Sequence, residues 1–226
     1  MTIHIHRDLI QGSDAWLQAR CGILTASEMC RIITAKALKP AKNDKASAHL
    51  YELLAQRFTG YVEPAYVSDD MLRGQADEIE ARALYARHHS PVQEVGFVTR
   101  DFGGGVVVGC SPDGLVGDHG LIEIKSRRQK FQAETIISGA VPDEHVIQVQ
   151  TALLVTGRAW CDFVSYCGGM PLAVIRVPAD ETAHHAILAA AGMFEADLAE
   201  KLAALRANAA GLLPTKRRIE QEMYGL

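Results

Sequence analysis

The chain of 226 residues is ample for one domain with a substantial core and short for two. Hydrophobic residues make up 48% and charged residues 22%, the balance of a soluble globular protein, which excludes a disordered chain. A net charge of -4 runs against a protein that coats nucleic acid, and no apolar run reaches the roughly 20 residues of a spanning helix.

The start, MTIHIHRDLIQG, lacks the basic and apolar regions of a secretory signal, so a cytoplasmic location is expected. Residues 13–35 predict two short helices around a turn at Cys21 and Gly22. Thr25 opens the second with Glu28 three residues on, a capping-box spacing that puts Thr25 and Ser27 near a helix N-terminus. Residues 35–45 carry Lys36, Lys39, Lys42 and Lys45 around a proline and an Asn-Asp pair, the pattern of a mobile basic loop. Charge is uneven, with eight Lys or Arg against five acids in residues 1–60 and four against seven in residues 61–100. HLYELLAQRF and MLRGQADEIEARALYARHH predict two helices, the second burying Leu72, Ile79, Ala83 and Ala86. From residue 92 the period shortens, and VQEVGFVTR, GGVVVGC and LIEIK predict strands of a central, antiparallel-looking sheet. Two helices (RRQKFQAETIISG, EHVIQVQTALLVTG), two strands (AWCDFVSYC, LAVIRVP) and a long Ala-rich helix over 180–210 follow, with a basic tail after Pro214 that packs poorly. The order predicts a single α/β domain, 1–226, with a helical N-terminal part (1–90), a sheet core (91–178) and a C-terminal helix (180–210): a central mixed β-sheet flanked by helices.

The chemistry concentrates in CSPDGLVGDHGLIEIKS, residues 110–126. Asp113 lies in a Pro-Asp-Gly turn, and Glu123 and Lys125, at i and i+2 of one strand, share a face. A carboxylate and an ammonium on an apolar strand are costly to bury unpartnered, and a divalent cation between Asp113 and Glu123 would compensate the acids. Two acids, water and the main-chain carbonyl of Ile124 form an oxygen set suited to Mg²⁺, with Mn²⁺ as a substitute, where zinc would call for His and Cys. Lys125 beside that ion could orient water or stabilise charge on a phosphate. The five cysteines contain no CxxC pair, the His4/His6, His88/His89 and His184/His185 pairs lack ligand spacing, and GGGVVVG lacks a P-loop lysine. Metal-thiolate chemistry and nucleotide binding are thereby disfavoured.

This PD…(D/E)xK arrangement resembles that of the nuclease superfamily that includes restriction endonucleases, which implies a restriction-endonuclease-like core. Three more segments resemble the phage lambda exonuclease family, the YqaJ-like viral recombinases, in order and spacing over most of the chain. QGSDAWLQARCGILTASE, residues 11–28, is similar to the family's Trp-x-x-x-Arg element, which implies that Arg20 and Ser27 hold the phosphate at a DNA 5′ end. On the residues alone, Arg20 offers a bidentate donor to an anion, or simply stacks on Trp16 while Ser27 caps a helix. RGQADEIEARALY, residues 73–85, resembles the helix with an active-site Glu four positions after a Gly, here Glu78, with Asp77 and Glu80 as neighbours that fit less well. VIQVQTALLVTG, residues 146–157, looks like the helix bearing a Gln beside the scissile phosphate: Gln148, with Gln150 in reserve. Related nucleases often carry a Tyr four residues later, where this chain has Ala152. Ser111 matches a position facing the DNA phosphate, although local backbone bonding also explains a hydroxyl there.

The resemblance implies a Mg²⁺-dependent 5′-to-3′ exonuclease. It would degrade one strand of double-stranded DNA from its ends and leave 3′ overhangs for a single-strand annealing protein. The same resemblance implies a homotrimeric ring around DNA, with the Lys36–Lys45 loop repeated around its channel and the C-terminal helix and tail supplying interface. It also places the protein in a host cytoplasm if the chain is phage- or prophage-encoded. Two alternatives stay open at this point: a nuclease of other polarity or endonucleolytic action on the same core, and a DNA-binding recombination scaffold that does not cut.

Overall fold

A computed structural model describes residues 2–64 and 68–217. Two four-stranded mixed sheets form its core. Strands β1 (Thr2–His6), β5 (Phe97–Asp101), β6 (Val107–Cys110) and β2 (Leu24–Thr25) make the first, in the order β1-β5-β6-β2. The second has the order β10-β9-β8-β7, from β7 (Gly114–Val116), β8 (Gly120–Ser126), β9 (Trp160–Tyr166) and β10 (Ala173–Pro178). β2 runs parallel to β6 and β8 parallel to β9, and the remaining pairings within the two sheets are antiparallel. The expected mixed sheet flanked by helices is present, split in two because the chain turns out of β6 at Ser111 and Pro112 before entering β7.

The helices are α1 (Asp14–Arg20), α2 (Asp44–Thr59), α3 (Asp69–His88), α4 (Gln129–Ser138), α5 (Asp143–Thr156) and α6 (Glu181–Ala209). Burial explains the central place of α5: every residue from Val149 to Val155 is buried, as expected of a helix apolar on all sides, and it packs on β5, β6, β9 and α6. Strand β8 alternates accordingly. Leu121 joins the large cluster on the α5 side, whereas Ile122 and Ile124 pack with Ala81 and Tyr85 of α3 on the other face. α2 lies along α6, where Arg57 grips buried Glu195 through two hydrogen bonds of 2.6 and 2.8 Å and donates a third, of 2.7 Å, to the Gly22 carbonyl.

Several expectations are corrected. The second helix of residues 13–35 is replaced by β2, a single 3₁₀ turn (Met29–Arg31) and β3 (Ile33–Thr34), because Leu24 and Thr25 extend sheet one beside Val108 and Gly109. Thr25 is therefore a buried strand residue and caps no helix. The basic segment is a hairpin of β3 with β4 (Lys39–Pro40) followed by the Asn43-capped start of α2, which contains Lys45. The N-terminal part is not purely helical, since β1 and β2 belong to sheet one. On α3 the apolar stripe faces outward: Leu72 and Ile79 are 54% and 66% exposed and Ala83 and Ala86 are also exposed, while Ala81 and Tyr85 are buried. The buried hydroxyl of Tyr85 repays its burial with a 2.6 Å bond to Asp162 of β9, and that fixes which face meets the sheet. The tail past residue 217 lies outside the described residues.

Candidate active site

A cleft of about 210 Å³ opens where the two sheets meet, and its lining includes all the residues expected from sequence: Arg20, Ser27, Glu78, Ser111, Asp113, Glu123, Ile124, Lys125 and Gln148. Their convergence has local causes. β7 begins at Gly114, opposite Ile122, so on that edge there is no neighbouring strand beside Ile124 and the Asp113 carboxylate takes its place, accepting a 2.5 Å bond from the Ile124 amide. The N–H and C=O of one strand residue point to the same side, so the Ile124 carbonyl also faces this gap, next to Asp113. Glu123 is 3% exposed and points to the α5 side, where its Oε1 accepts from the Gln148 amide and from Lys125 Nζ at 2.8 Å. Gln150 faces elsewhere, donating to the Pro178 carbonyl and accepting from the Asp180 amide. Glu78 enters from α3. It is held by Arg82, whose guanidinium also donates to the Asp113 carbonyl oxygen at 2.8 Å and to Glu94 at 2.8 Å. Asp77 instead accepts from Ser126, and Glu80 is exposed. Arg82 was not foreseen, although its position four residues after Glu78 is the spacing of a helical ion pair.

The electrostatics are those of crowded acids beside one ammonium. Burial, then Glu123 and Glu78, push the Asp113 carboxyl well above the usual carboxylate range, against the pull of Lys125 and the Ile124 amide. Burial also raises Glu78, in competition with Arg82. For Lys125, burial acts to lower the pKa but is outweighed by Glu123 and Asp113, so the ammonium stays charged. Two carboxylates and a main-chain carbonyl could hold a cation here. Among the described residues no three His, Cys, Asp or Glu side chains form a ligand cluster, so an ion would complete its shell with Ile124 and water.

The far wall of the cleft is cationic and is built by α1 with the ends of β2 and β6. Trp16 Nε1 donates to Ser111 Oγ at 2.9 Å and to the Gly96 carbonyl at 3.1 Å, and the Arg20 guanidinium lies 4.2 Å from the Trp16 ring centroid. Arg20 reaches Ser111 Oγ and Thr25 Oγ1 only at 3.4 and 3.5 Å, and Thr25 Oγ1 lies 3.3 Å from Ser27 Oγ. No carboxylate pairs with it among the described residues, and burial lowers its pKa despite Glu28. A half-buried guanidinium that meets only two hydroxyls at long range can accept an anion. Arg20 thus stacks on Trp16, and its outer edge meets only hydroxyls at long range. Ser27 lines the cleft but does not cap a helix, as the 3₁₀ turn after it has no side-chain cap.

An acid pair joined to an ammonium and faced by an anion-hungry arginine is equipment for phosphodiester cleavage, and the protein is a nuclease. Comparison with known proteins carries the assignment further. Residues 15–159 match the YqaJ-like viral recombinase domain, and the chain belongs to that family. The structure is similar to that of an alkaline exonuclease from Laribacter hongkongensis, 35% identical, with a TM-score of 0.77 over 89% of this chain and 100% of that one. That enzyme's complex with dAMP gives 0.79. A phage related exonuclease from Haemophilus somnus 129PT shares the fold at 12% identity, with a TM-score of 0.53 over 80% of this chain and 96% of that one. No relative is found among curated proteins. No helix of the described residues is long and apolar enough to cross a membrane.

Proposed function

We propose that the protein is a Mg²⁺-dependent exonuclease that degrades one strand of duplex DNA from its 5′ end, leaving a 3′ overhang for a single-strand annealing protein. The observation that carries this reading is the juxtaposition, in one cleft, of Asp113, Glu123 and Lys125 with Arg20, which pairs with no carboxylate among the described residues. The donor set fits a hard divalent cation. Its donors are all oxygen, and Asp113 and Glu78 are carboxyls raised first by burial and further by neighbouring acids, whose charged forms a cation would stabilise. Asp113, Glu123 and the Ile124 carbonyl would hold Mg²⁺ or Mn²⁺, which when bound supplies Lewis acidity and lowers the pKa of the attacking water.

The chain's own groups do the rest. Gln148 fixes the Glu123 carboxylate, which in turn aims Lys125 Nζ at the phosphate to offset charge developing on its oxygens. Arg20, with the hydroxyls of Ser111, Thr25 and Ser27, holds the terminal 5′-phosphate one nucleotide away from the scissile bond. Water attacks phosphorus and gives up a proton to solvent, the bond to the 3′ oxygen breaks, and that oxygen takes up a proton so that the departing nucleotide leaves with a 3′ hydroxyl. Each cut leaves a new 5′-phosphate, the group Arg20 is placed to receive.

With a net charge of -4, retention on DNA through many cycles requires more than general attraction, so the assembly we propose is a homotrimeric ring around the duplex. Light scattering should give about three times the 24.6 kDa chain mass. The deciding experiment incubates blunt duplexes, labelled at either end and with or without 5′-phosphate, in Mg²⁺ and in chelator. Mononucleotide release from phosphorylated 5′ ends in Mg²⁺ alone is the expected result. Release from 3′ ends, internal nicking, or binding without cleavage would overturn it.

A further inference from the structure

Beyond the catalytic cleft, α3 and the end of β8 enclose a second, basic one. We propose that this cleft, lined by Arg73, Arg127 and Arg128, binds the phosphodiester backbone of the nucleic-acid strand passing through the catalytic cleft. The choice of ligand rests on the nuclease reading above. The placement of the three arginines is independent of that reading.

The cleft has a volume of about 390 Å³, with Asp77, Gln129, Cys167 and Gly168 completing its wall. It continues the catalytic cleft along the same two elements. Arg127 follows Lys125 by two residues on the line of β8, and Arg73 and Asp77 precede Glu78 on α3. Arg127 also reaches α5 beside the catalytic Gln148, one turn away, through Glu144 at 2.8 Å and His145 Nε2 at 3.0 Å. The chain therefore runs from Lys125 at the end of β8 directly into Arg127 and Arg128.

The arginines are incompletely used within the protein. Arg127 has an 11% exposed side chain, and its buried Nε lacks a hydrogen-bond partner. Arg73 makes only loose ion pairs, 3.6 Å to Asp70 and 3.9 Å to Asp77. Arg128 is 62% exposed and bonds Asp70 at 2.8 and 3.1 Å, so an exposed carboxylate occupies the position an incoming phosphate would take. Arg128 is also the N-cap residue of α4 and supplies no side-chain cap, which leaves the first amides of that helix beside the guanidiniums. Three guanidiniums face three acids, Asp70, Asp77 and Glu144, and of these the exposed Asp70 is the carboxylate that a backbone phosphate can replace.

The test uses the full-length protein and fluorescence anisotropy of a labelled duplex with a 3′ overhang, in chelator so that nothing is cut, over a series of salt concentrations. Arg73→Ala and Arg128→Ala should each weaken binding about tenfold and reduce the salt slope by about 0.7 to 0.9 per lost phosphate contact. Asp70→Asn should tighten binding, because it removes the carboxylate that competes for Arg128. A purely structural Arg128–Asp70 tether predicts instead that both variants change binding in the same direction. Equal affinity and unchanged salt slope for Arg73→Ala and Arg128→Ala, or a loss with Asp70→Asn, would overturn the inference. Cleavage of the same duplex by wild-type protein in Mg²⁺ is scored separately, so failure of the nuclease reading and failure of this site are read from different measurements.

Discussion

Replacing Arg20 by Ala should abolish the preference for phosphorylated ends while sparing the chemistry. The magnitude follows from how little Arg20 is used within the protein: two hydrogen bonds to hydroxyls at 3.4 and 3.5 Å, both at the long limit, and no carboxylate among the described residues. A 5′-phosphate dianion offers two charge-assisted bonds worth about 1.5 to 3 kcal/mol each. After the weak hydroxyl bonds that the guanidinium gives up and partial solvent screening are subtracted, a net of about 2 to 3 kcal/mol remains. That corresponds to roughly 30- to 150-fold in kcat/KM. Single-turnover digestion of matched 5′-phosphate and 5′-hydroxyl duplexes should show this loss on the first and a change below about threefold on the second. Arg20→Lys should fall between, since the ammonium keeps the charge but neither the planar fork nor the stacking on Trp16. Equal losses on both substrates would refute the reasoning and make Arg20 a structural partner of Trp16.

Asp113→Asn should end cleavage yet raise the melting temperature in chelator at neutral pH. The folded state holds this carboxyl above its unfolded value near 3.9, so the destabilisation is absent below that pH, grows as pH rises towards the folded value and is complete above it. A thermal gain that did not shrink on acidification would contradict this. Lys125→Met should lower kcat at least about 100-fold while a Mg²⁺-induced thermal shift persists, because Glu123 loses the ammonium that competes for it; loss of the shift would make Lys125 part of the metal site's architecture. Glu195→Leu should cost about 3 kcal/mol in urea unfolding by stranding Arg57. Because Arg57 also holds the Gly22 carbonyl, two residues past Arg20, that variant should lose some end preference as well, and unchanged stability would show the pair to be neutral.

What the sequence revealed of the site was what local geometry enforces. Asp113, Glu123 and Lys125 lie on one hairpin, where strand period alone decides the face. Gln148 and Gln150 could be told apart only by resemblance, since two residues along a helix point nearly opposite ways and the sequence does not mark which way the sheet lies. The same gap explains the error on α3. Its exposed Leu72 and Ile79 read as core, whereas the face that docks carries Ala81, Tyr85 and the ionic pair Glu78 and Arg82, whose partners are distant in sequence. Strand β2 escaped notice because two residues paired in parallel to β6 leave no periodic trace, and Thr25 reads as a cap until its neighbour across the sheet is known.

The catalytic cleft lies where the two sheets meet, and along the chain only Ser111 and Pro112 separate β6 from Asp113. The ring of Pro112 restricts that short connection to a narrow range of backbone angles, and both sheets pack on α5 in one core, so the spacing across the cleft is fixed. If the proposed function holds, a strand end that touches Arg20 on one side and Lys125 on the other acts as a bivalent ligand, with an effective concentration at the second wall set by the fixed width of the cleft once the first is engaged. A single nucleoside monophosphate engages one wall only. Affinity should therefore rise steeply between one and two nucleotides and level off thereafter for this cleft, with the recognition unit being the phosphate-to-phosphate spacing of one nucleotide.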